Sequence, residues 1–548
     1  MINISLVSGL RRLYHCSRIM RHRSAILIFL FLSVPAFCMG WKCGESSASG
    51  PEDTLRFNIS SEPPSLDWSL ATDHSSIQVL QNIMEGLTRF DEDLNPRPAL
   101  AERWEVQKNG SRYVFHLRKD ARWTDGKPVT AHDFVYAWRR LQDPETAGEY
   151  AYHLYMVKNA KAVNSGEMDV SELGVEARGP HTLVVDLDRP VVFFPMITTF
   201  ISTFPMRKDI VEKYGDNWTE PEHIETCGPF YLSEWWHEYR VVVKKNPGYF
   251  GHGPYLDRVI FYMVEENSTA LSLYQTGDLD VVDPMPPPSI PSYENSPEYK
   301  NYPFFASYYY GFNVEKPPVD VPLVRAALSL SVDRSQIPRI IKGHQIPNST
   351  VVPAGMKYAN LKLGHSYDPE KGRKLLAKAG YPGGKGFPEI TIGYNTQESH
   401  KMIAEFVQQE WKRNLGIDVR LRNMEWKVYL KKLQHDPPHV FRLGWILDYP
   451  DPDAIMNVFT SDSGNNHTRW KSKEYDRLVN KASIERDPKV RQKLYDRAQS
   501  LLCKESSAIV PLYTYTINML VKPYVKDFPM NGQDLLYLRE TKISGKEK

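Results

Sequence analysis

The chain of 548 residues carries 68 lysine and arginine residues against 66 aspartate and glutamate residues, and 41% of it is hydrophobic and 24% charged. These proportions are ordinary for a folded protein and exclude a disordered chain, a collagen-like chain and a polytopic membrane protein; the net charge of +2 predicts no nucleic-acid partner. At about 150 residues per domain the length predicts roughly two to four domains, and five cysteines are too few for a disulfide scaffold.

The first forty residues predict a secretory signal peptide. They contain five arginines and no acidic residue, and the apolar run AILIFLFLSV occupies 25–34. That run is too short for a bilayer span of about 20 helical residues, and a basic segment before a short apolar one is typical of an export signal. Translation starts at Met1 or at Met20. A short buried helix is the alternative interpretation of the apolar run. Residues 41–53 predict a flexible leader. Membrane anchoring through a lipid stays open, although neither Cys38 nor Cys43 follows the small residue that a lipid-attachment signal needs.

Local patterns predict several individual elements in the exported part. Apolar residues alternate with polar ones over 113–117, which predicts a strand. Thr130 with Asp133 predicts the capped start of a helix. Pro322 predicts the first position of another helix, and 368–380 predicts a third that ends at a glycine.

The stretch 389–453 is the most informative, because strand-like and helix-like segments alternate in it. Strands are predicted at 389–394, 417–422 and 440–446, and helices at 399–414 and 427–433. This alternation predicts right-handed crossovers and a parallel sheet, and ligands of open α/β sheets bind outside the carboxyl ends of the strands. His400, Trp426 and Asp448 follow these three ends, so we expect them to converge on one edge.

Catalytic, metal and cofactor motifs are absent from the sequence: it contains no GxSxG, CxxC, HExxH, GxGxxG or phosphate-loop pattern. His435 and His439 have metal-like spacing, but the two prolines between them predict a loop rather than a ligand pair. Cys227 and Cys503 are candidates for a disulfide, which an oxidising compartment would allow. The alternative is that each is a small apolar filler, packed in a hydrophobic core as a free thiol. His400 could be a base, a ligand contact or a solvated residue at a helix start. We therefore predict no enzyme activity, no metal and no cofactor.

A family resemblance is carried by long motifs over nearly all of 54–540. Residues 85–142 resemble the extracytoplasmic solute-binding proteins of family 5, the peptide/nickel class of ABC importers, over their whole length. The resemblance continues through motifs that include GPFYLSEWW (228–236), RAALSLSVDR (325–334) and DPEKGRKLLAKAGY (368–381). Oligopeptide-binding members of this class are matched by NTQESHKMIA (395–404), NMEWK (423–427) and RLGWILDYPDP (442–452).

The resemblance implies a two-lobed, clam-shell α/β fold of the peptide-binding class with an extra inserted α/β domain. The implied boundaries are 54–84, 207–305 and 516–548 for a discontinuous lobe I, 85–206 for the inserted domain, and 306–515 for lobe II.

The resemblance also implies ligand-binding residues, each with core packing, a surface charge or a loop cap as its alternative role. Asp448 matches the aspartate that pairs with a peptide's amino group, and a buried amine without such a partner is costly. Arg442 matches an arginine that could pair with a carboxylate, and Gly444 would let the ligand backbone approach closely. The remaining matches line side-chain pockets or the ligand's far end: Trp445, Trp426, His400, Tyr150, Tyr309 and Tyr515.

The chain departs from the family pattern at three places. A disulfide found in the family would join positions that are Ala306 and Ile446 here. A further arginine is expected at Leu433, where the neighbouring Lys432 is a candidate substitute, and an acidic residue is expected at Thr72, next to Asp73. These changes leave ligand length and carboxylate recognition open.

We therefore expect an exported, periplasmic monomer that captures oligopeptides and docks on the membrane subunits of an ABC permease. Alternatives with the same fold are a murein-derived peptide, a dipeptide, haem or a chelated metal as cargo. A secreted hydrolase is a further alternative, although the sequence contains no defensible pair of nucleophile and base. A receptor that presents peptide to a sensor is the last, and the sequence does not separate it from a transporter.

Overall fold

The computed structural model describes residues 53–545, so the predicted signal peptide, and the leader up to residue 52, lie outside the described residues. Within 53–545 there is no helix with the length and apolarity that crossing a membrane requires. The strands are β1 Thr54–Asn58, β2 Thr88–Phe90, β3 Pro96–Pro98, β4 Ala101–Gln107, β5 Arg112–Leu117, β6 Val175–Ala177, β7 Thr182–Asp186, β8 Phe230–Trp236, β9 Arg240–Lys245, β10 Arg258–Tyr262, β11 Val281–Val282, β12 Tyr299–Phe312, β13 Ile346–Pro347, β14 Ile390–Asn395, β15 Val419–Met424, β16 Val440–Ile446, β17 Ile509–Val521, β18 Val525–Lys526 and β19 Lys542–Ile543.

The α-helices lie between these strands and cover the sheet faces. They are α1 His74–Ile83, α2 Ala131–Gln142, α3 Ala160–Asn164, α4 Phe194–Ile197, α5 Lys208–Tyr214, α6 Asn267–Thr276, α7 Ile290–Tyr293, α8 Pro322–Leu330, α9 Ile337–Ile341, α10 Pro369–Lys378, α11 Glu398–Leu415, α12 Trp426–His435, α13 Asp453–Met456, α14 Lys473–Ile484 and α15 Pro488–Ser500.

One sheet of eleven strands runs through most of the described chain, in the order β15-β14-β16-β12-β17-β11-β1-β10-β9-β8 with β13 paired to β17. Its centre is the long antiparallel pair β12 and β17, which belongs to both halves of the sheet. The register of this pair shifts between Pro303 and Ser307. The two implied changes of lobe, after residues 305 and 515, fall at this irregularity, and these boundaries stay a prediction.

The predicted parallel unit is confirmed in the half of the sheet that contains β14, β15 and β16. β14 pairs in parallel with both β15 and β16, and α11 and α12 form the crossovers. α11 ends where Gly416 adopts a left-handed conformation, which glycine accommodates at little cost. The starts of α11 and α12 and the end of β16 therefore meet at one edge of the sheet.

A separate antiparallel sheet, β4-β5-β7-β6, lies inside the segment 85–206 that we expected to be inserted. The predicted strand at 113–117 is its second strand. α2 follows with the predicted capping box, in which the Asp133 carboxylate accepts from the Thr130 backbone N–H at 2.7 Å. The helices expected at Pro322 and after Asp368 are likewise α8 and α10.

Candidate functional site

The last residues of β16 have an unpaired backbone edge. Asn313 N donates to His439 O at 3.0 Å and Leu447 N donates to Phe305 O at 2.9 Å, which fixes the phase of the ladder between β12 and β16. In an antiparallel ladder alternate residues direct both backbone groups to the same neighbour, so Gly444 and Ile446 direct theirs away from β12. On that side the ladder with β14 ends at Phe441. In residues 53–545, no strand adjoins Gly444 and Ile446 there.

A buried cationic group lies at one end of this edge. Arg442 is 8% exposed, and its guanidinium donates to the Tyr515 hydroxyl at 2.7 Å and to Asn395 Oδ1 at 3.2 Å. The guanidinium also lies 4.6 Å from the centre of the Tyr308 ring, and its Nε has no hydrogen-bond partner. Among the described residues no carboxylate forms an ion pair with Arg442, so the charge is buried without a counter-charge.

His400 lies beside this group and is neutral. Burial, reinforced by the charge of Arg442, lowers the pKa of His400 to about 3. Its ring is 5.5 Å from that of Tyr308, and its Nδ1 has no partner. The structure therefore excludes the solvated helix-start role and leaves a ligand contact as the open interpretation. Gly444 lies against the same group of side chains. A Cβ at this position would be 3.2 Å from the Tyr515 hydroxyl.

Asp448 lies at the other end of the edge and faces the inserted segment. Burial raises the pKa of Asp448 to about 6, and a hydrogen bond from Tyr152 opposes that shift. Tyr150 is next to it: burial, together with the charges of Asp448 and Asp73, raises the pKa of Tyr150 to about 12. Its hydroxyl donates to Thr72 O at 3.3 Å, and its ring lies 5.8 Å from that of Tyr152. Sequence reasoning missed Tyr152, whose only signal was its spacing of two from Tyr150.

The three predicted strand ends lie at one edge of the sheet, but the candidate residues on β16 divide between its two faces. Arg442 and Gly444 share one face with His400 and Tyr515. Trp445 alternates to the other face, where it packs on a different core cluster and its indole Nε1 has no partner. Trp426 is 43% exposed and lies 6.3 Å from Tyr429, ring to ring.

Tyr309 is the site residue for which the structure favours the alternative role. It is 1% exposed and its ring meets Phe459 edge-on at 5.4 Å, inside a hydrophobic core. Strand alternation explains this placement: Tyr308 and Tyr310 share the face of Arg442, whereas Tyr309 points to the opposite core. Its side chain presents no free surface to a ligand in this conformation.

The structure shows which contacts are made at the three places where the chain departs from the family pattern. Ala306 and Ile446 are directly opposite each other in the ladder, so the lost disulfide would have joined cross-strand partners. Leu433 is fully buried, and Lys432 instead forms an ion pair with Asp436, so Lys432 does not replace the missing arginine. Next to Thr72, Asp73 caps α1 by accepting from Ser76 N at 2.8 Å.

The structure shows the positions of the two candidate cysteines and of the two histidines with metal-like spacing. Cys227 and Cys503 are free thiols in separate buried clusters, which confirms the apolar-filler interpretation over the disulfide. Burial raises the pKa of the Cys503 thiol to about 12. His435 ends α12 and His439 lies beyond it. No group of three or more metal-ligating side chains occurs among residues 53–545.

The fold and the site together define a two-lobed α/β solute-binding protein. The sequence profile described as bacterial extracellular solute-binding proteins, family 5 (middle), matches residues 95–467. The chain belongs to this family.

Its relatives include the periplasmic oligopeptide-binding protein OppA of Salmonella typhimurium, 35% identical over 88% of this chain and 91% of that protein. The probable deoxycholate-binding periplasmic protein YgiS of Escherichia coli is 34% identical over 90% of this chain and 94% of its own length. Among solved structures, the unliganded open form of the periplasmic murein tripeptide binding protein MppA aligns with a TM-score of 0.82 at 33% identity, covering 90% of this chain and 98% of that one.

Proposed function

We propose that the chain is a periplasmic oligopeptide-binding protein that captures peptides between two lobes and delivers them to an ABC-type importer, without catalysing a reaction. Membership of the family supports the binding role, and so do relatives named for oligopeptide and murein-peptide binding. The observation that carries the proposal is the open edge of β16 between Asp448 and Arg442.

An extended peptide would add to this edge as one more strand. The outward backbone groups of Gly444 and Ile446 supply hydrogen bonds that are the same for every peptide, which gives affinity without choice of sequence. The absence of a side chain at Gly444 lets the Tyr515 hydroxyl and the Arg442 guanidinium lie close to the strand edge that the ligand would join, since a Cβ there would be 3.2 and 3.3 Å from them. With its amino end at Asp448, the ligand would run antiparallel to β16.

The two ends of the ligand would meet opposite charges. Asp448 supplies the counter-charge for the α-ammonium group. Arg442 is a buried cation without a carboxylate partner, and burying an unpaired charge is costly. A carboxylate of the ligand would supply what the protein lacks there, with the neutral His400 beside it as a hydrogen-bonding group.

Closure would be a hinge motion at the shared strands β12 and β17. The similarity to an unliganded open form supports the view that the described conformation is the empty, open one. A ligand that contacts both lobes binds the closed form better and shifts the population towards it. The closed monomer would then dock on the permease subunits in the membrane.

The first test is native mass spectrometry of the purified mature chain, followed by release of the ligand under denaturing conditions. Peptides of mixed sequence and narrow length would support a general oligopeptide binder. A single muropeptide, dipeptide, haem or bile acid would assign the chain to a dedicated cargo instead. Peptides that come back cleaved after incubation with the protein would overturn the non-catalytic role.

A further inference from the structure

The edge of β16 carries an exposed apolar side chain that the contacts of the folded chain do not explain. Ile446 is 62% exposed, although isoleucine is among the residues most often buried. It ends the strand whose alternate residues Arg442 and Gly444 form the candidate site. Side chains two residues apart in a strand share a face, so Ile446 continues the row towards Asp448.

The protein itself leaves Ile446 uncovered on its paired side. Its cross-strand partner is Ala306, whose single methyl group is buried and covers little of the neighbouring side chain. On the other side β14 does not reach Ile446, because the ladder between β14 and β16 ends at Phe441. A strand added at the open edge would place one side chain directly opposite Ile446, with the two Cβ atoms about 4.5–5.5 Å apart.

We propose that Ile446 is a specificity-determining residue that selects an apolar side chain near the amino end of the bound peptide. Ile446 ends the strand and precedes Asp448 by two residues, a span of at most about 7 Å. The selected position is therefore one of the first three ligand residues. This inference rests on the proposed function, because it places the peptide on the β16 edge with its amino end at Asp448.

Other exposed apolar side chains lie at the same edge of the sheet. Met402 and Trp426 are both exposed at the starts of α11 and α12, which meet the end of β16 at the same sheet edge. An apolar ligand side chain against Ile446 removes area of both from water, whereas a polar one pays for the hydrogen bonds to water that it loses against an apolar surface. Burial of most of an exposed isoleucine is worth about tenfold in affinity.

The test measures the affinities of alanine-based pentapeptides that carry leucine or glutamine at the first, second or third position, by calorimetry. The wild type should favour leucine about tenfold at one of these positions. Ile446→Ser should abolish that preference and leave the glutamine peptides unaffected, and Ile446→Val should keep most of it. The matched control is Ile484→Ser, at another half-exposed isoleucine, which ends α14 away from the β16 edge and should change nothing.

Equal affinities for leucine and glutamine at all three positions of the wild type would overturn this inference, and so would a preference that Ile446→Ser retains. Either result leaves the proposed function standing, because peptides still bind. Failure of every free peptide to bind would overturn the proposed function and this inference with it. Thermal unfolding of both serine variants checks that folding is unchanged, as expected for exposed side chains.

Discussion

The charge state of Asp448 should control peptide affinity between pH 5 and pH 7. Burial raises the pKa of its carboxyl to about 6 in the ligand-free protein, and only the ionised form can pair with an ammonium group. With that pKa the carboxyl is about nine-tenths ionised at pH 7 and about one-tenth ionised at pH 5. Apparent affinity scales with the competent fraction, so peptides with a free amine should bind about tenfold more weakly at pH 5.

His400 and the two ends of the peptide hold their charge over this window, whereas Asp453 does not. His400 stays neutral because its pKa is lowered to about 3. The α-carboxyl of the peptide, with a pKa of about 3.5, stays ionised, and its α-amino group, with a pKa of about 7.7–8.0, stays protonated below pH 7. Asp453, buried behind the site with its pKa raised to about 7, also titrates. The variant Asp448→Asn keeps the pH dependence that Asp453 contributes and removes only the pH dependence that Asp448 contributes.

Calorimetry at pH 5, 6 and 7 in buffers of different ionisation enthalpy measures both affinity and proton release. The wild type should release close to one proton per peptide at pH 5, since pairing with the ammonium ionises the carboxyl. Asp448→Asn should weaken binding by about 2–5 kcal/mol and lose the part of the pH dependence that Asp448 contributes. N-acetylated peptides should bind weakly to both proteins. A wild-type affinity that is flat from pH 5 to 7, or that tolerates acetylation, would refute the assignment of Asp448.

Three further variants test the rest of the site and its support. Arg442→Gln should lose the preference for free over amidated carboxyl ends, measured by calorimetry, and a preference that persists would place the carboxylate elsewhere. Gly444→Val should lower both peptide affinity and the melting temperature, because a Cβ there lies only 3.2–3.3 Å from the Tyr515 hydroxyl, the Arg442 guanidinium and Ser307 O and so overpacks the site. Arg491→Met should lower the free energy of unfolding in urea by about 3–5 kcal/mol, since it strips the buried Asp451 carboxylate of two hydrogen bonds at 2.6 and 2.9 Å.

The parallel unit of 389–446 was predictable from the sequence because its strands and helices are local patterns with clear stops. Helix α11 ends at Gly416 and α2 begins at a capping box, and both signals lie within a few residues. The division of the site between two sheet faces was not predictable in the same way. It depends on which residues of β16 face which core, and that phase is set by the register with β12, whose partners lie more than 120 residues away.

The burial of individual side chains was also not predictable from local sequence patterns. His400 and Tyr309 both match family positions, yet His400 lies beside an unpaired Arg442, whereas Tyr309 is inside a core. Tyr152 was missed for the same reason, because its contact with Asp448 joins the inserted segment to a distant loop. Contacts between segments far apart in sequence therefore separate the ligand-facing candidates from the structural ones.

The candidate site lies at an open strand edge and not in the large cavity of this protein. A cavity of about 880 Å³ lies beside Glu85, Arg89 and Tyr249, and it contains none of the candidate ligand residues. Its polar groups already bond to one another, as in the contact of 2.7 Å from the Tyr249 hydroxyl to the Glu85 carboxylate. At the β16 edge, the backbone groups of Gly444 and Ile446 have no neighbouring strand in residues 53–545, and the buried Arg442 has no carboxylate counter-charge there. A buried charge without a counter-charge beside an open strand edge indicates a ligand more directly than volume does, because it is costly until a ligand supplies the opposite charge.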